Sequence, residues 1–245
     1  MNKPNFKVFE TVDNLLLSLA DSFVEIGNEA IEDNGKFNVV LSGGSSPKKL
    51  YELLASPAYQ NKLDWSKVNF FFGDERNVPA NDSQNNALMA RKAMFEPLLI
   101  PEANIFAIDT SLEPAKAAEA YMKTIEEQFL KKPIQFDLVL LGLGDDSHTA
   151  SLFPYTTVLK EKEASVKSVF VEKLNTDRIT LTAALINQAK RIVFLVYGEG
   201  KAAAVKTIFG EVRDTEKYPA QLIREDNQTS WFLDKDSASK ITIEG

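Results

Sequence analysis

Residues 136–154 are FDLVLLGLGDDSHTASLFP, the stretch of the chain that most restricts its fold. The apolar run 136–141 predicts a β-strand covered on both faces, because strands of that kind lack a polar alternation. Glycines at 142 and 144 predict a tight turn where this strand ends. The turn carries two aspartates and His148, which is the only histidine of the chain. We therefore expect polar groups at one edge of a buried sheet.

The remainder of the chain alternates between apolar runs and helical patterns. Further strands are predicted at residues 6–9, 37–41, 68–72, 191–197 and 230–233. Helices are predicted at residues 11–33, 46–54, 83–95, 114–130 and 200–208. This alternation predicts an α/β fold with a mainly parallel sheet and helices on both faces. The less periodic stretch 155–175 is expected to be an excursion within a single domain, 1–245.

The composition argues against several classes of protein. The chain has no cysteine, which excludes a disulfide scaffold and a thiolate metal site. Because it also has one histidine, no catalytic zinc site and no other metal is expected. The net charge of -7 argues against a general nucleic-acid-binding or anionic-membrane surface, which needs clustered Lys and Arg. Without a signal peptide or a long apolar run, we expect a soluble cytoplasmic protein.

A glycine–serine loop, SGGSSP at 42–47, follows the first core strand. Glycines let the backbone approach a ligand, serines add hydroxyls, and a following helix offers N–H groups and a positive dipole end. Ser46 before Pro47 is also typical of a helix N-cap with a first-turn proline. The loop matches neither the G-x-G-x-x-G nor the Walker pattern. Two interpretations stay open, namely a tight capped turn or a phosphate cradle made by Gly43, Gly44, Ser45 and Ser46.

Three basic residues are candidates for holding an anion at the same edge of the sheet. Arg76 lies in segment 73–79, directly after the second core strand and at the mouth of the expected crevice. This segment is interpreted either as an anion clamp with an organising carboxylate or as a solvated loop with a local ion pair. Arg178 and Lys201 could reach the same anion, although single charges are more often solvated. Lys201 is near a helix start, where a cation is unfavourable unless an anion is present.

His148 is the candidate general base, and Asp146 is its nearest carboxylate. Imidazole titrates near neutral pH, and an adjacent carboxylate fixes its tautomer and raises its basicity. The alternative for an isolated histidine is a surface or helix-cap residue, but a position after a buried strand favours catalysis. No G-x-S-x-G elbow is present, so Ser45 and Ser46 are interpreted as phosphate ligands rather than nucleophiles. The simplest chemistry is His148 removing a proton from water that attacks a phosphorylated electrophile.

Together these segments resemble the 6-phosphogluconolactonase family. The similar stretches are 42–47, 73–79 with 83–91, 140–154, 178–180 and 194–202. The resemblance implies hydrolysis of 6-phospho-D-glucono-1,5-lactone to 6-phospho-D-gluconate, the second step of the oxidative pentose phosphate pathway, without a cofactor. It also implies a Rossmann-like fold shared with sugar-phosphate isomerases and deaminases. By position, it makes His148 the base beside Asp146 and surrounds the phosphate with Gly44, Ser45, Arg76, Arg178 and Lys201.

One position departs from the family pattern, and it leaves alternatives open. The family usually has Asp-Gly-His where this chain has Asp146-Ser147-His148, and glycine suggests a positive φ that serine tolerates poorly. We expect either a turn that suits serine or a strained loop. The alternative functions are an aminosugar-phosphate deaminase or isomerase of the same fold and a non-catalytic phosphosugar-binding protein. The N–H groups of 142–144 are a candidate oxyanion site, and we expect a monomer, with an oligomer left open.

Overall fold

The computed structural model describes residues 5–130 and 133–242. The strands are β1 (Asn5–Phe9), β2 (Phe37–Leu41), β3 (Val68–Phe72), β4 (Asp74–Arg76), β5 (Leu138–Leu141), β6 (Val166–Val171), β7 (Thr176–Leu181), β8 (Arg191–Val196) and β9 (Thr229–Asp234). Six of them form a parallel sheet in the order β1-β9-β8-β5-β2-β3. The predicted parallel sheet and its six predicted strands are thereby confirmed.

The predicted helices lie close to their expected positions, and one short helix that follows β7 was not predicted. The helices are α1 (Val12–Asn34), α2 (Ser45–Leu54), α3 (Asn86–Ala90), α4 (Pro114–Gln128), α5 (Ala183–Ile186) and α6 (Ala202–Ile208). The side chain of Thr11 accepts a hydrogen bond from the N–H of Asn14 and so begins α1, while Gly35, with φ 76°, ends it. A π-helical turn at Arg91–Phe95 continues α3, which accounts for the length of the helical pattern that follows Ser83.

Both faces of the parallel sheet are covered by helices, as predicted. Every residue of β3 is buried, and neighbouring side chains on a strand point to opposite faces. The ring of Phe70 packs on Phe95, just beyond α3, with centroids 4.8 Å apart. The ring of Phe71 packs instead on Phe129, at the end of α4, with centroids 6.3 Å apart. These contacts place α3 and α4 on opposite faces of the sheet.

The order of the strands creates a crevice between β2 and β5. The chain passes from β2 to β3 on one side and later returns to place β5 on the other side of β2. The loops after β2 and β5 therefore leave the sheet as neighbours on the same edge. Such a switch point is where open α/β sheets bind their ligands. It brings the glycine–serine loop and the histidine loop face to face.

A second sheet, which the sequence analysis did not predict, borders this crevice. It is antiparallel in the order β4-β7-β6, and β4 follows β3 after the single residue Gly73. The stretch 155–175, interpreted as an excursion, contributes β6, in which Val166, Val169 and Val171 are buried. The pairing of β4 with β7 sets Arg76 opposite Arg178. Two basic residues from distant parts of the sequence thus become neighbours.

Candidate active site

One cleft of about 440 Å³ contains all nine residues that the sequence analysis selected. It lies at the carboxyl ends of β2 and β5, with β4 and β7 along one side. The nine residues that line it are Gly43, Gly44, Ser45, Ser46, Arg76, Asp146, His148, Arg178 and Lys201. Their assembly brings an imidazole–carboxylate pair and three cationic side chains around one space.

His148 and Asp146 form the predicted pair. The Nδ1 atom of His148 lies 2.5 Å from Oδ1 of Asp146, and the imidazole stacks on the ring of Phe153 with centroids 4.0 Å apart. An ionised carboxylate can only accept a hydrogen bond, so Nδ1 carries the hydrogen and Nε2 is left with its lone pair. The arrangement fixes both the orientation and the tautomer of a general base.

The second carboxylate oxygen of Asp146 has a partner that the sequence analysis missed. Nζ of Lys173 lies 2.9 Å from Oδ2 of Asp146. The hydrogen bond from His148 holds the pKa of Asp146 well below its ordinary value, and Lys173 lowers it further against the effect of partial burial. Asp146 is therefore an anion shared by two donors. Only the sheet formed by β6 and β7 brings Lys173 here, and no local sequence signal marks it.

Gly144 makes room for the imidazole. A Cβ atom at this position would lie 2.0 Å from Nδ1 of His148, so any other residue would displace the ring. The N–H of Gly144 donates to the carbonyl oxygen of His148 at 2.8 Å. That group is engaged within the loop, which argues against Gly144 as the predicted oxyanion donor. Gly144 instead leaves the space that the imidazole of His148 occupies.

Ser147 adopts the backbone conformation that the family's glycine implied. Its φ is 65°, in the left-handed region, and its side chain is buried. The N–H of Ser147 donates to the carbonyl of Gly144 at 3.0 Å, and its carbonyl accepts from the N–H of Ala220 at 2.9 Å. The turn thus does not change to suit serine. Hydrogen bonds on both sides hold a strained residue in place.

The glycine–serine loop ends in a helix, but the predicted cap residue is wrong. α2 begins at Ser45, and its N-cap is Gly44 rather than Ser46. Gly44 has φ 103°, a conformation that residues with a Cβ rarely adopt, so the chain can begin the helix one residue earlier. The hydroxyl of Tyr51 fixes the start of the loop by accepting from the N–H of Ser42 and donating to its carbonyl. The N-terminus of α2 faces the cleft.

Two arginines form a positive wall of the cleft. Arg76 and Arg178 are paired residues of β4 and β7, and Nη1 of Arg76 donates to the carbonyl of Gln84 at 2.7 Å. In the part of the chain that the structure describes, the buried Nε atoms of both arginines lack a hydrogen-bond partner. Burial lowers the pKa of Arg178, and the charge of Arg76 lowers it further. Adjacent guanidinium groups with unmet donors suit a phosphate.

Two buried carboxylates of β4 organise this wall. Oδ2 of Asp74 accepts from the hydroxyl of Ser151 at 2.6 Å, which ties β4 to the histidine loop. Glu75 is fully buried and accepts from the N–H groups of Arg76, Asn86 and Ala87. Burial raises the pKa of Glu75 from its ordinary value of 4.5 to about 7, although these hydrogen bonds oppose the shift. Segment 73–79 thus supplies two organising carboxylates, where one was expected.

Lys201 forms a local ion pair at the rim of the cleft. Its Nζ atom lies 2.5 Å from Oδ1 of Asp145, the first aspartate of the histidine loop. Lys201 therefore has a counter-charge, yet it still lines the cleft and faces the same space as the arginines. Across residues 5–130 and 133–242, no group of three His, Asp or Glu side chains could hold a metal ion. Over the same ranges no helix is long and apolar enough to cross a membrane.

Comparison with known proteins identifies the family. A model of the family described as glucosamine-6-phosphate isomerases/6-phosphogluconolactonase matches residues 10–231. The chain belongs to this family. The 6-phosphogluconolactonase of Synechocystis sp. is 39% identical over 217 residues, covering 87% of this chain and 88% of that protein. The 6-phosphogluconolactonase of Haemophilus influenzae is 37% identical over 235 residues, covering 94% and 97%. The resemblance inferred from the motifs is confirmed.

Solved structures of the family share the fold. The 6-phosphogluconolactonase from Trypanosoma cruzi has a TM-score of 0.88 at 29% identity, covering 99% of both chains. A monomeric glucosamine-6-phosphate deaminase has a TM-score of 0.82 at 17% identity, covering 97% of this chain and 100% of that chain. The second likeness is one of fold alone. The fold is thus common to two chemistries, and the choice between them depends on the residues in the cleft.

Replacing Ser147 with the family's glycine tests the strain in the histidine loop. Ser147→Gly is expected to raise the free energy of unfolding by roughly 0.5 to 1 kcal/mol, because glycine removes the cost of a left-handed φ but loosens the unfolded chain. Urea denaturation measures the change. Ser147→Ala keeps the Cβ atom and should bring no such gain, so equal stability of the two variants would contradict the strain.

Glu75 is expected to make stability depend on pH. Its folded-state pKa of about 7 lies above the ordinary 4.5, so the folded protein binds a proton that the unfolded chain releases in this range. The contribution of Glu75 to the free energy of unfolding is complete below about pH 4.5 and is lost as the pH rises through about 7.

Urea denaturation between pH 5 and pH 7.5 measures the slope of the free energy of unfolding against pH in the wild type and in Glu75→Gln. The variant should lose the part of the slope that Glu75 causes, because glutamine does not titrate. The exposed Glu102, which pairs with Arg91, offers a matched control, and Glu102→Gln should keep the wild-type slope. Identical slopes in all three proteins would refute the assignment.

Proposed function

We propose that this chain hydrolyses 6-phospho-D-glucono-1,5-lactone to 6-phospho-D-gluconate. The observation that carries the proposal is the imidazole of His148, fixed by Asp146 inside a cleft that two arginines also line. A base and an anion site in one cleft match a substrate with an electrophilic carbonyl and a phosphate. The relatives named 6-phosphogluconolactonase, which align over most of the chain, support the same activity.

The phosphate of the substrate is assigned to the side of the cleft formed by β4, β7 and α2. Arg76 and Arg178 would supply bidentate donors, and the N-terminus of α2 at Gly44 and Ser45 would add N–H groups and a hydroxyl. Lys201 lines the same space and adds positive charge. One chain supplies all of these groups, so the proposed site needs no second subunit, and we propose that the monomer is active.

In the proposed hydrolysis, His148 acts first as a general base and then as a general acid. Nε2 of His148 takes a proton from water while the water oxygen forms a bond to the lactone carbonyl carbon. The resulting oxyanion collapses, and the bond between that carbon and the ring oxygen breaks. The imidazolium returns its proton to the ring oxygen, which becomes a hydroxyl. Asp146 stabilises the positive imidazolium between the two steps, because its carboxylate stays ionised.

An aminosugar-phosphate deaminase or isomerase is the second candidate, because the fold is common to both activities. The residues in the cleft favour the lactonase. The sequence has Asp146 two residues before His148 and an arginine at position 76, whereas the deaminases tend to have Asn-Gly-His and a tyrosine at these points. Release of ammonia from glucosamine 6-phosphate, without lactone hydrolysis, would reverse this choice. A phosphosugar-binding protein without turnover would accelerate neither reaction.

His148→Ala is expected to abolish the acceleration of lactone hydrolysis. Loss of a general base costs about 10²- to 10⁴-fold in rate, which brings the reaction down towards the spontaneous hydrolysis of the lactone. A dehydrogenase-coupled assay of freshly made lactone measures both rates. Binding of 6-phosphogluconate, followed by calorimetry, should persist in the variant and shows that the cleft is intact. Full activity of His148→Ala would remove this residue from the proposed mechanism.

Arg178→Met is expected to weaken substrate binding more than turnover. Removal of one charged donor to a phosphate should raise KM by roughly 10- to 100-fold, with a much smaller change in kcat. Arg191→Met is the matched control, because Arg191 pairs with Glu29 outside the cleft. An unchanged KM in Arg178→Met, or an equal rise in the control, would show that Arg178 does not bind the phosphate.

A further inference from the structure

A buried hydroxyl lies at the point where the pairing of β2 with β5 ends. The last paired residues are Val40 and Val139, although β5 continues beyond them. Ser42 comes two residues after Val40, so its N–H and C=O would be the next groups of this chain segment to face β5. The N–H of Ser42 instead donates to the hydroxyl of Tyr51 at 3.0 Å, and that hydroxyl donates to the carbonyl of Ser42 at 2.8 Å. The hydroxyl thus replaces the continuation of the sheet.

The same hydroxyl connects the end of β2 with the helix that follows the glycine–serine loop. Tyr51 belongs to α2, and its side chain is fully buried. Burial raises the pKa of Tyr51 far above its ordinary value, so the hydroxyl keeps its proton and remains able to donate. One side chain therefore fixes both the residue where the loop leaves the sheet and the helix in which the loop ends.

We propose that Tyr51 is a positioning residue for anion binding. Its hydroxyl holds Ser42 and α2 so that the backbone of Gly43 and Gly44 lies at a fixed distance from Arg76. The identity of the anion as the phosphate of the lactone rests on the proposed function, whereas the position of the loop does not.

The loop has few restraints of its own. Among the described residues, the N–H groups of Gly43 and Gly44 have no hydrogen-bond partner, and both residues line the cleft. The carbonyl of Gly44 accepts from the N–H of Lys48, which is itself part of α2. The position of the loop relative to the sheet therefore depends on its two ends, and Tyr51 holds both. The free N–H groups are available to a ligand.

On its other side the loop packs against the element that carries Arg76. A Cβ atom at Gly43 would overlap the side-chain amide of the buried Asn86. Nδ2 of Asn86 donates to the carbonyl of Asp74 in β4 at 2.9 Å. Because Asn86 lies between the loop and β4, a displacement of Ser42 would change the distance from the loop to Arg76. Tyr51 thus acts on the anion site without touching the ligand.

A second tyrosine makes the same pair of hydrogen bonds at a place where the following chain has other restraints. The hydroxyl of Tyr121, in α4, accepts from the N–H of Phe72 at 2.7 Å and donates to its carbonyl at 3.2 Å. Tyr121 is buried, as Tyr51 is. After Phe72 the chain is held independently, because the carbonyl of Gly73 accepts from the N–H of Leu181 at 2.9 Å and β4 pairs with β7. Tyr121 is therefore a matched control.

Tyr51→Phe and Tyr121→Phe each remove one hydroxyl and keep the ring. Both variants should lower the Tm by a similar amount, roughly 3 to 10 °C, because each leaves a buried N–H and C=O without their partner. Calorimetry with 6-phosphogluconate should show a Kd raised roughly 5- to 50-fold in Tyr51→Phe, which is the worth of one weakened hydrogen bond to a charged group. The Kd should be unchanged in Tyr121→Phe. Inorganic phosphate should lose affinity by a similar factor in Tyr51→Phe, because the loop is assigned to the phosphate alone.

Kinetics separate a positioning role from a general loss of structure. The KM for the lactone should rise in Tyr51→Phe together with the Kd, with a much smaller change in kcat, because His148 and Asp146 lie in a different loop. An unchanged Kd in Tyr51→Phe, or an equal rise in Tyr121→Phe, would overturn the proposed role of Tyr51. Because calorimetry with inorganic phosphate requires no turnover, failure of the lactonase assay would refute the proposed function and leave the test of Tyr51 intact.

Hydrogen exchange in the wild type gives a readout that needs no variant. The amide of Ser42 should exchange as slowly as that of Phe72, because both donate to a buried tyrosine hydroxyl. In Tyr51→Phe, exchange at Ser42 should become faster while exchange at Phe72 stays slow. Rapid exchange at Ser42 in the wild type would remove the hydrogen bond on which the role of Tyr51 depends, even if Tyr51→Phe failed to fold.

Discussion

Burial of the central parallel strands is the constraint on which the rest of the structure depends. Every residue of β3 and β5 is buried, so charged side chains gather beyond the strand ends. The reversal of strand order at β2 and β5 then puts two such ends side by side. The glycine–serine loop and the histidine loop become the two sides of one crevice, and the antiparallel sheet closes it. Position in the fold, rather than local sequence, makes these loops a site.

Many of the individual elements of this arrangement can be predicted from local sequence. The strand 136–141, the turn that follows it and the pairing of Asp146 with His148 depend on residues within a few positions of one another, so pattern and spacing predict them. The antiparallel sheet depends on the pairing of segments that are far apart in the chain. Its strand β6 alternates only partly, with Phe170 exposed. For that reason the pairing of Arg76 with Arg178 across two strands, and the contact of Lys173, could not be predicted, although both arginines were expected near one anion.

The electrostatics of the cleft contrast with those of the whole chain. The protein is acidic, with a net charge of -7, yet its cleft gathers four basic side chains. Two of them, Lys173 and Lys201, are each balanced by an aspartate of the histidine loop. The buried carboxylates in the strand of Arg76, Asp74 and Glu75, accept instead from the hydroxyl of Ser151 and from backbone N–H groups. The site thus contains cations that are paired with aspartates and cations whose donors are available to a ligand.

The pairing of Arg76 with Arg178 has a consequence for folding as well as for binding. The two residues lie in strands that must find each other across a long intervening segment, and their like charges oppose that meeting. A dianion held by both guanidinium groups would act as a clasp between β4 and β7, favouring the assembled sheet over an opened one. Such a ligand, by binding only the folded protein, would thus stabilise the architecture that recognises it.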